Sequence, residues 1–132
     1  MSDVGKLMES SKPIKSHRDL IVWQKAMELT VTIYNASKTF PKEETYGLTS
    51  QLRRASASIP ANIAEGQGWR LPKEFQQFLA NARGSLLELD THLELALRLD
   101  YLDGKQHSAI QEKVDEVGRL LNGLLRSLTA SI

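Results

Sequence analysis

Apolar residues recur at alternating steps of three and four along four stretches of the chain, which is the period of one face of an α-helix. The first stretch carries Val22, Ala26, Leu29, Ile33, Ala36 and Phe40, and the last carries Ile110, Val114, Val117, Leu121, Leu124 and Leu128. Neither the strict alternation of a surface strand nor an internal repeat competes with this pattern. The pattern therefore predicts an all-α protein.

Prolines, glycines and capping residues indicate where the four helices begin and end. Pro41 disfavours helix at the preceding residue, Gly66 suits a left-handed cap, and Pro72 is acceptable in a first turn. Asp103 and Gln106 have the spacing of a capping box. We predict helices at about residues 18–39, 44–66, 72–101 and 104–129. Short connections between them favour an antiparallel up-down-up-down four-helix bundle over residues 16–132, preceded by a disordered tail at 1–15.

The composition narrows the class of protein. The chain has 132 residues, of which 41% are apolar and 25% charged, as in one ordinary globular domain. The absence of cysteine excludes disulfides and thiolate metal sites and suits a reducing compartment. No apolar run resembles a signal peptide or a membrane span, so we expect a cytoplasmic protein with no membrane partner. Because the net charge is only +1, any basic surface must come from local clustering or from assembly.

The first predicted helix has more apolar surface than one bundle seam requires. A second stripe runs beside the first through Leu20, Trp23, Met27, Thr30 and Tyr34. A well-buried helix in a monomer would also have such a wide apolar arc. We favour a contact between subunits, because so short a domain has little chain left to cover the arc from within.

The least ordinary segment is residues 47–70, GLTSQLRRASASIPANIAEGQGWR. Pro60 lies inside its helical pattern and leaves the carbonyl of Ser56 without the usual backbone donor. A run of small and polar residues surrounds the proline, and these side chains can satisfy freed backbone groups or pair with an arginine. We assign a structural motif to Pro60, Asn62, Glu65 and Gly66.

Two adjacent arginines in this segment must have different roles. Arg53 and Arg54 are about 100° apart on a helix, so at most one of them faces a packed seam. The buried one is expected to form a salt bridge with Glu65 or with the acidic third helix. The exposed one is a candidate for phosphate contact, together with cations at the next helix entrance. The candidate nucleic-acid-binding residues are therefore Arg53, Arg54, Arg70 and Lys73. Trp69 is either a packed loop cap or a stacking platform for a base.

No catalytic or metal-binding pattern emerges from the remaining residues. The three histidines, His17, His92 and His107, lack the Glu-x-x-His spacing of a di-iron bundle. No serine lies in a nucleophile-elbow sequence, and Gly66 and Gly68 lack the third glycine of a dinucleotide fingerprint. We expect no catalytic residues, no metal, no cofactor and no small-molecule substrate, and hence a protein that is not an enzyme.

Long segments of the chain resemble the bacterial four-helix bundle proteins called S23 or 23S rRNA intervening-sequence proteins. The matching segments are DLIVWQKA at 19–26, FPKEETYGLTSQLRRASASIPANIAEG at 40–66, KEF at 73–75, FLANARGSLLELDTHLELA at 78–96 and YL at 101–102. The SxPxNIAEG motif of the family stands at residues 58–66. The resemblance implies a ring-shaped homopentamer with a role in binding RNA or nucleoprotein, and it supplies no catalytic residues. Distant relatives are accessory proteins of a reverse transcriptase.

These observations predict a non-enzymatic oligomeric scaffold that binds RNA or nucleoprotein. The alternative is a protein–protein adaptor that docks a basic partner, such as a nucleic-acid enzyme. Residues 71–103 favour this alternative, because they carry three basic and six acidic residues, a net charge of −3.

Overall fold

The computed structural model describes residues 14–131 of the chain. Its four α-helices are α1 (Ile21–Ala36), α2 (Leu48–Trp69), α3 (Pro72–Arg98) and α4 (Gly104–Ser131), and short 3-10 turns lie at His17–Asp19, Ser37–Thr39 and Lys42–Glu44. Most of the predicted tail, residues 1–13, lies outside the described residues. Of the two tail residues that are described, Ile14 packs against the core and the amide of Lys15 donates to Asp19 Oδ2 at 2.8 Å.

Each helix packs on two neighbours. α1 and α3 both pack on α2 and on α4, so α1 and α3 lie at opposite corners of the bundle. Consecutive helices run in opposite directions, and the connection at residues 70–71 therefore lies at the opposite end from the connections at 37–47 and 99–103. We call these the α2–α3 end and the α1–α2 end. The predicted all-α, up-down-up-down bundle is confirmed.

The core is built from the predicted apolar seams. The α2 seam is fully inside: Leu48, Leu52, Ala55, Ile59 and Ile63 are all buried, and so are the six seam residues of α4. Burial of each leucine or isoleucine side chain stabilises the fold by roughly 1.5–3 kcal/mol. The four seams together hold the helices in their antiparallel order.

Two carboxylate contacts of Glu44 tie together the α1–α2 end. Its Oε1 accepts from the amide of Leu48 at 3.1 Å, which satisfies one of the free donors at the start of α2. Its Oε2 accepts from the hydroxyl of Tyr101 at 2.9 Å, across to the connection between α3 and α4. This hydrogen bond raises the pKa of the Tyr101 phenol above its ordinary value of 10.0.

The helix ends differ from the predicted ones at several points. The Ser16 and Asp19 capping box opens a 3-10 turn, and α1 begins only at Ile21. The second helix, predicted to close near Gly66 and Gly68, continues to Trp69, and its left-handed cap is Arg70, with φ 57°. The predicted ends at 39 and 101 and the predicted start at 44 fall outside the observed α-helices, because 3-10 turns at 37–39 and 42–44 and a turn after Arg98 replace α-helix there. The last helix runs to Ser131, two residues beyond its predicted end.

Candidate nucleic-acid interface

Pro60 lies in the interior of α2, and a neighbouring helix compensates for the backbone donor that it lacks. The helix continues on both sides of the proline, and Ser56, four residues earlier, is completely buried. The hydroxyl of Thr30 on α1 is 2.9 Å from the Ser56 carbonyl and 3.0 Å from the Ala26 carbonyl of its own helix. The carbonyl that the proline frees is thus satisfied by α1, which joins α1 to α2 at this point.

The other residues of the structural motif act within α2 and against α3. Asn62 donates its amide to the Ser58 carbonyl at 2.8 Å. A Cβ added at Gly66 would lie 2.7 Å from Phe78 Cβ and 3.1 Å from Phe75 Cδ1, so glycine permits the close approach of α3. Glu65 is exposed and makes no ion pair with the described residues.

Arg53 is the half-buried member of the arginine pair. Its Nε donates to the hydroxyl of Ser37 at 2.9 Å, its Nη2 donates to the Tyr34 carbonyl at 3.4 Å, and its guanidinium lies 4.9 Å from the centre of the Tyr34 ring. The expected salt bridge to Glu65 or to the acidic third helix is not formed. Arg53 instead holds α2 against the end of α1 with two of its five N–H donors.

Arg54 is the exposed arginine, but its surroundings are partly acidic. It lines a groove of about 650 Å³ between α2 and α3, together with Ser58, Glu88 and His92. Glu88 lies 3.5 Å from His92 on the same wall. A carboxylate in the same groove weakens the attraction of that groove for an anion.

Arg70 and Lys73 are exposed at the α2–α3 end, where α2 ends and α3 begins. Arg70 occupies the left-handed backbone region, which costs a residue with a Cβ roughly 1–2 kcal/mol. The side chain of Trp69 is 56% exposed. A shallow cavity of about 280 Å³ lies beside them, lined in part by Leu71, Phe75 and Leu128.

The four candidate residues do not form one site. Sixteen residues of helix separate Arg54 from Arg70, which is about 24 Å along the bundle axis. The structure brings Arg70 and Lys73 together at one end and places Arg53 and Arg54 in the other half of the molecule. Arg70 and Lys73 lie beside the exposed Trp69, and Arg53 lies against the ring of Tyr34.

Charge is segregated along the bundle, which sequence reasoning missed. The half nearer the α2–α3 end comprises residues 14–28, 59–85 and 118–131, and it has eight basic and four acidic residues, net +4. The other half comprises residues 29–58 and 86–117, with seven basic and ten acidic residues, net −3. We call these the basic half and the acidic half. The cations come from separate segments of the chain, so only the topology reveals the pattern.

The arrangement offers cations and an aromatic ring and few groups suited to other chemistry. Within residues 14–131, no three acidic, histidine or cysteine side chains come close enough to hold a metal ion. No helix of the described chain has both the length and the apolarity to cross a bilayer.

The family of the chain follows from a match that covers most of its length. The family model for the 23S rRNA-intervening sequence protein matches residues 18–123. The chain belongs to the 23S rRNA-intervening sequence protein family. No curated protein matches it.

A solved structure supports the same assignment. The chain is similar to a Bacteroides thetaiotaomicron protein of unknown function from the S23 ribosomal protein family, with a TM-score of 0.74 and 26% sequence identity. The alignment covers 80% of this chain and 96% of that protein. This 23S rRNA-intervening sequence family member therefore shares its four-helix bundle with a protein from the S23 ribosomal protein family.

Proposed function

We propose that this protein is a non-enzymatic, oligomeric scaffold that binds RNA or nucleoprotein through the α2–α3 end of its bundle. The observation that carries the proposal is the exposed Arg70, held in a left-handed conformation beside the exposed Trp69 in the basic half. Unfavourable backbone conformations in folded proteins cluster at functional sites, and glycine would fill this position at lower cost.

The chemistry of this end suits a nucleic-acid backbone with an accessible base. Arg70 and Lys73 can each contact a phosphate. Trp69 can stack on an unpaired base, an interaction worth about 1–3 kcal/mol. This combination favours the single-stranded loops and bulges of a structured RNA over a uniform duplex.

Self-association is part of the proposal, because each subunit contributes few cations. Repeating a weak site in one assembly raises its apparent affinity without new contacts. We propose a homo-oligomer, and the family resemblance makes the pentamer the expected form. We place it in the cytoplasm, where its RNA partner would be found.

Replacing Arg70 with glycine should change RNA binding and folding stability in opposite directions, so the two effects can be measured separately. Arg70→Gly removes the guanidinium and relieves the left-handed strain, so we expect it to raise the free energy of unfolding by about 1 kcal/mol and to weaken RNA binding. Filter binding of a structured RNA over a series of salt concentrations measures the second effect. The plot of log affinity against log salt should become shallower by about one for each phosphate that the variant no longer neutralises.

Asp100 provides the matched control. It is the other non-glycine residue with a positive φ among the described residues, at 62°, and it lies at the α1–α2 end. Asp100→Gly should also stabilise the fold but leave RNA retention and its salt dependence unchanged. If the Arg70→Gly protein bound RNA as tightly as the wild type, the proposed interface would be wrong.

The acidic half favours a second candidate function, that of an adaptor for a basic protein partner. Glu88 and Glu94 on α3 have side chains exposed by 59% and 47%. Reversing the charges of Glu88, Asp90 and Glu94 should then abolish capture of a basic partner, whereas Arg70→Gly should not. If Arg70→Gly abolishes binding and the three charge reversals do not, the result supports the RNA interface.

A further inference from the structure

The groove between α2 and α3 is lined by polar side chains from both helices, and we call it the Arg54 groove. Gln51, Arg54 and Ser58 line it from α2, and Glu88 and His92 line it from α3. Its volume of about 650 Å³ is that of a small-molecule site rather than of a site for a single ion. Because Gln51, Arg54 and Glu88 are exposed, the groove is open to solution.

A hydrogen bond between two serines shows which residues of the two walls lie at the same height. Ser58 Oγ donates to Ser85 Oγ, so these residues are level with each other on α2 and α3. Since the two helices are antiparallel, Arg54 before Ser58 and Glu88 after Ser85 lie on the same side of this hydrogen bond, about 6 Å and about 4.5 Å along the axis from it. A guanidinium and a carboxylate therefore face each other across the groove.

Arg54 and Glu88 do not pair with each other, although they carry opposite charges. The ion pairs of the described residues do not include Arg54, and Glu88 contacts only His92, with Oε1 3.5 Å from the imidazole Nε2. Within residues 14–131, the side chains of Gln51 and Arg54 make no hydrogen bond. The donors of Arg54 and the second oxygen of Glu88 are thus available to a ligand that lies between the two walls.

A buried atom in the wall of the groove also lacks a partner. His92 Nδ1 is shielded from solvent and makes no hydrogen bond with any residue that the structure describes. Buried polar atoms in folded proteins are nearly always hydrogen-bonded, so an unpartnered one beside an open groove points to a bound ligand.

Guanine has the pattern of donors and acceptors that these two walls require. Its N1–H and N2–H₂ groups are adjacent donors for a carboxylate, and its O6 and N7 atoms are adjacent acceptors for the fork of an arginine. A guanine that enters with O6 toward the floor presents one pair to each wall and leaves N9, which carries the ribose, outside. Adenine has an acceptor at N1, and neither cytosine nor uracil has two adjacent groups that donate.

We propose that the Arg54 groove binds a guanine base, with Glu88 accepting from N1–H and N2–H₂ and Arg54 donating to O6 and N7. The proposal rests on the proposed nucleic-acid function and adds to it a base-specific site in the acidic half, apart from Arg70. The mixed charge of the groove suits a neutral base better than an anion. A free guanine nucleotide and an unpaired guanine of an RNA loop present the same chemistry, and the test separates these two sources.

Nucleotides that lack single groups of guanine test the site. Guanosine monophosphate should bind the wild-type protein, as measured by isothermal titration calorimetry. Inosine monophosphate lacks the N2 amino group and 7-deazaguanosine monophosphate lacks N7, so each should bind more weakly. Adenosine monophosphate should bind at least about fivefold more weakly, which is the lower limit for the loss of one bidentate contact.

Two substitutions assign the two edges of the base. Glu88→Ala should weaken the binding of guanosine monophosphate by about 5- to 150-fold and abolish the preference over inosine monophosphate. Arg54→Lys keeps the charge but loses the fork, so it should abolish the preference over the 7-deaza nucleotide. Glu65→Ala removes an exposed carboxylate of α2 that does not line the groove, and this matched control should bind as the wild type does. Circular dichroism confirms that each variant is helical.

A structured RNA with one unpaired guanine, compared with the same RNA carrying adenine there, identifies the source of the base. Preferential retention of the guanine RNA assigns the groove to RNA, and equal retention assigns it to the free nucleotide. A wild type that binds guanosine and adenosine monophosphate equally, or neither, would overturn the proposal, as would wild-type affinity in Glu88→Ala. Arg70→Gly should weaken RNA retention and leave the affinity for guanosine monophosphate unchanged, so failure of one site is distinguishable from failure of the other.

Discussion

The hydroxyl of Thr30, on α1, donates a hydrogen bond to the Ser56 carbonyl of α2, which Pro60 leaves without its usual backbone donor. Pro60 would leave a completely buried carbonyl without a donor, and an unsatisfied buried polar group costs roughly 1–3 kcal/mol. The serine and asparagine side chains near the proline donate elsewhere: Ser56 to the Arg53 carbonyl, and Asn62 to the Ser58 carbonyl. The compensation therefore depends on the packing of α1 on α2.

Thr30→Val should lower the free energy of unfolding by about 1–3 kcal/mol, because valine fills the same volume without donating a hydrogen bond. Urea unfolding monitored by circular dichroism measures the change. In a Pro60→Ala background the alanine amide can bond the Ser56 carbonyl, so the same substitution should cost less there. An equal cost in both backgrounds would show that the Thr30 hydroxyl serves some other group.

The sequence predicts one half of this hydrogen bond, the acceptor. Pro60 inside a helical pattern identifies the carbonyl of Ser56 as the one that needs a donor. The donor lies 26 residues earlier in the chain, on a different helix, and nothing in the local sequence selects Thr30 over the nearer hydroxyls. Such long-range partners follow from tertiary packing, which the helical period alone does not determine.

At the scale of the elements, the contact between α2 and α3 depends on a glycine that sequence reasoning assigned to a helix end. Gly66 is buried and helical, and its lack of a side chain brings α2 against Phe75 and Phe78. The nearby Gly68 faces open space, with no atom within 4 Å of an added Cβ. Two glycines two residues apart therefore have different roles.

Alanine substitutions distinguish these two glycines. Gly66→Ala should destabilise the protein by about 1–3 kcal/mol, because the new methyl group would overlap with Phe78 and push α3 away. Gly68→Ala, on the same helix, should stabilise it by up to about 1 kcal/mol through helix propensity. Thermal unfolding of both variants measures the difference, and similar effects at the two positions would contradict the close approach at Gly66.

The apolar period predicted the helices better than it predicted their ends. All the seam residues quoted for the second and last helices are buried, because burial of one face is what the period encodes. The end of α2 was missed, since its left-handed cap is an arginine and the usual signal for such a cap is glycine.

For the whole molecule, charge is distributed unevenly along the bundle axis: one half has a net charge of +4 and the other a net charge of −3. The paired arginines, the most visible cations in the sequence, lie in the acidic half, and the exposed cations beside Trp69 lie in the basic half. The sequence alone could name Arg70 and Lys73 as candidates. It could not separate them from Arg53 and Arg54, because the separation depends on which helix ends meet.

Assembly should change the salt dependence of RNA binding as well as its strength. If several basic halves contact one RNA, the slope of log affinity against log salt should be several times steeper for the assembled wild type than for a monomeric surface variant. The two proteins have the same Arg70 and Lys73, so the difference reports the number of sites engaged together. Titrations of a structured RNA at a series of salt concentrations measure both slopes. Equal slopes would mean that one subunit binds each RNA alone.

The even number of helices has a practical consequence for binding assays. Four antiparallel helices return the chain to the end where it entered the bundle, and Ile14 and Leu128 line the same cavity as Arg70. A tag or surface linker joined before residue 14 or after residue 131 would therefore emerge beside the groups under test. Attachment within residues 99–103, at the far end, leaves Arg70 and Trp69 open to solution. A biosensor surface should hold the protein by that connection.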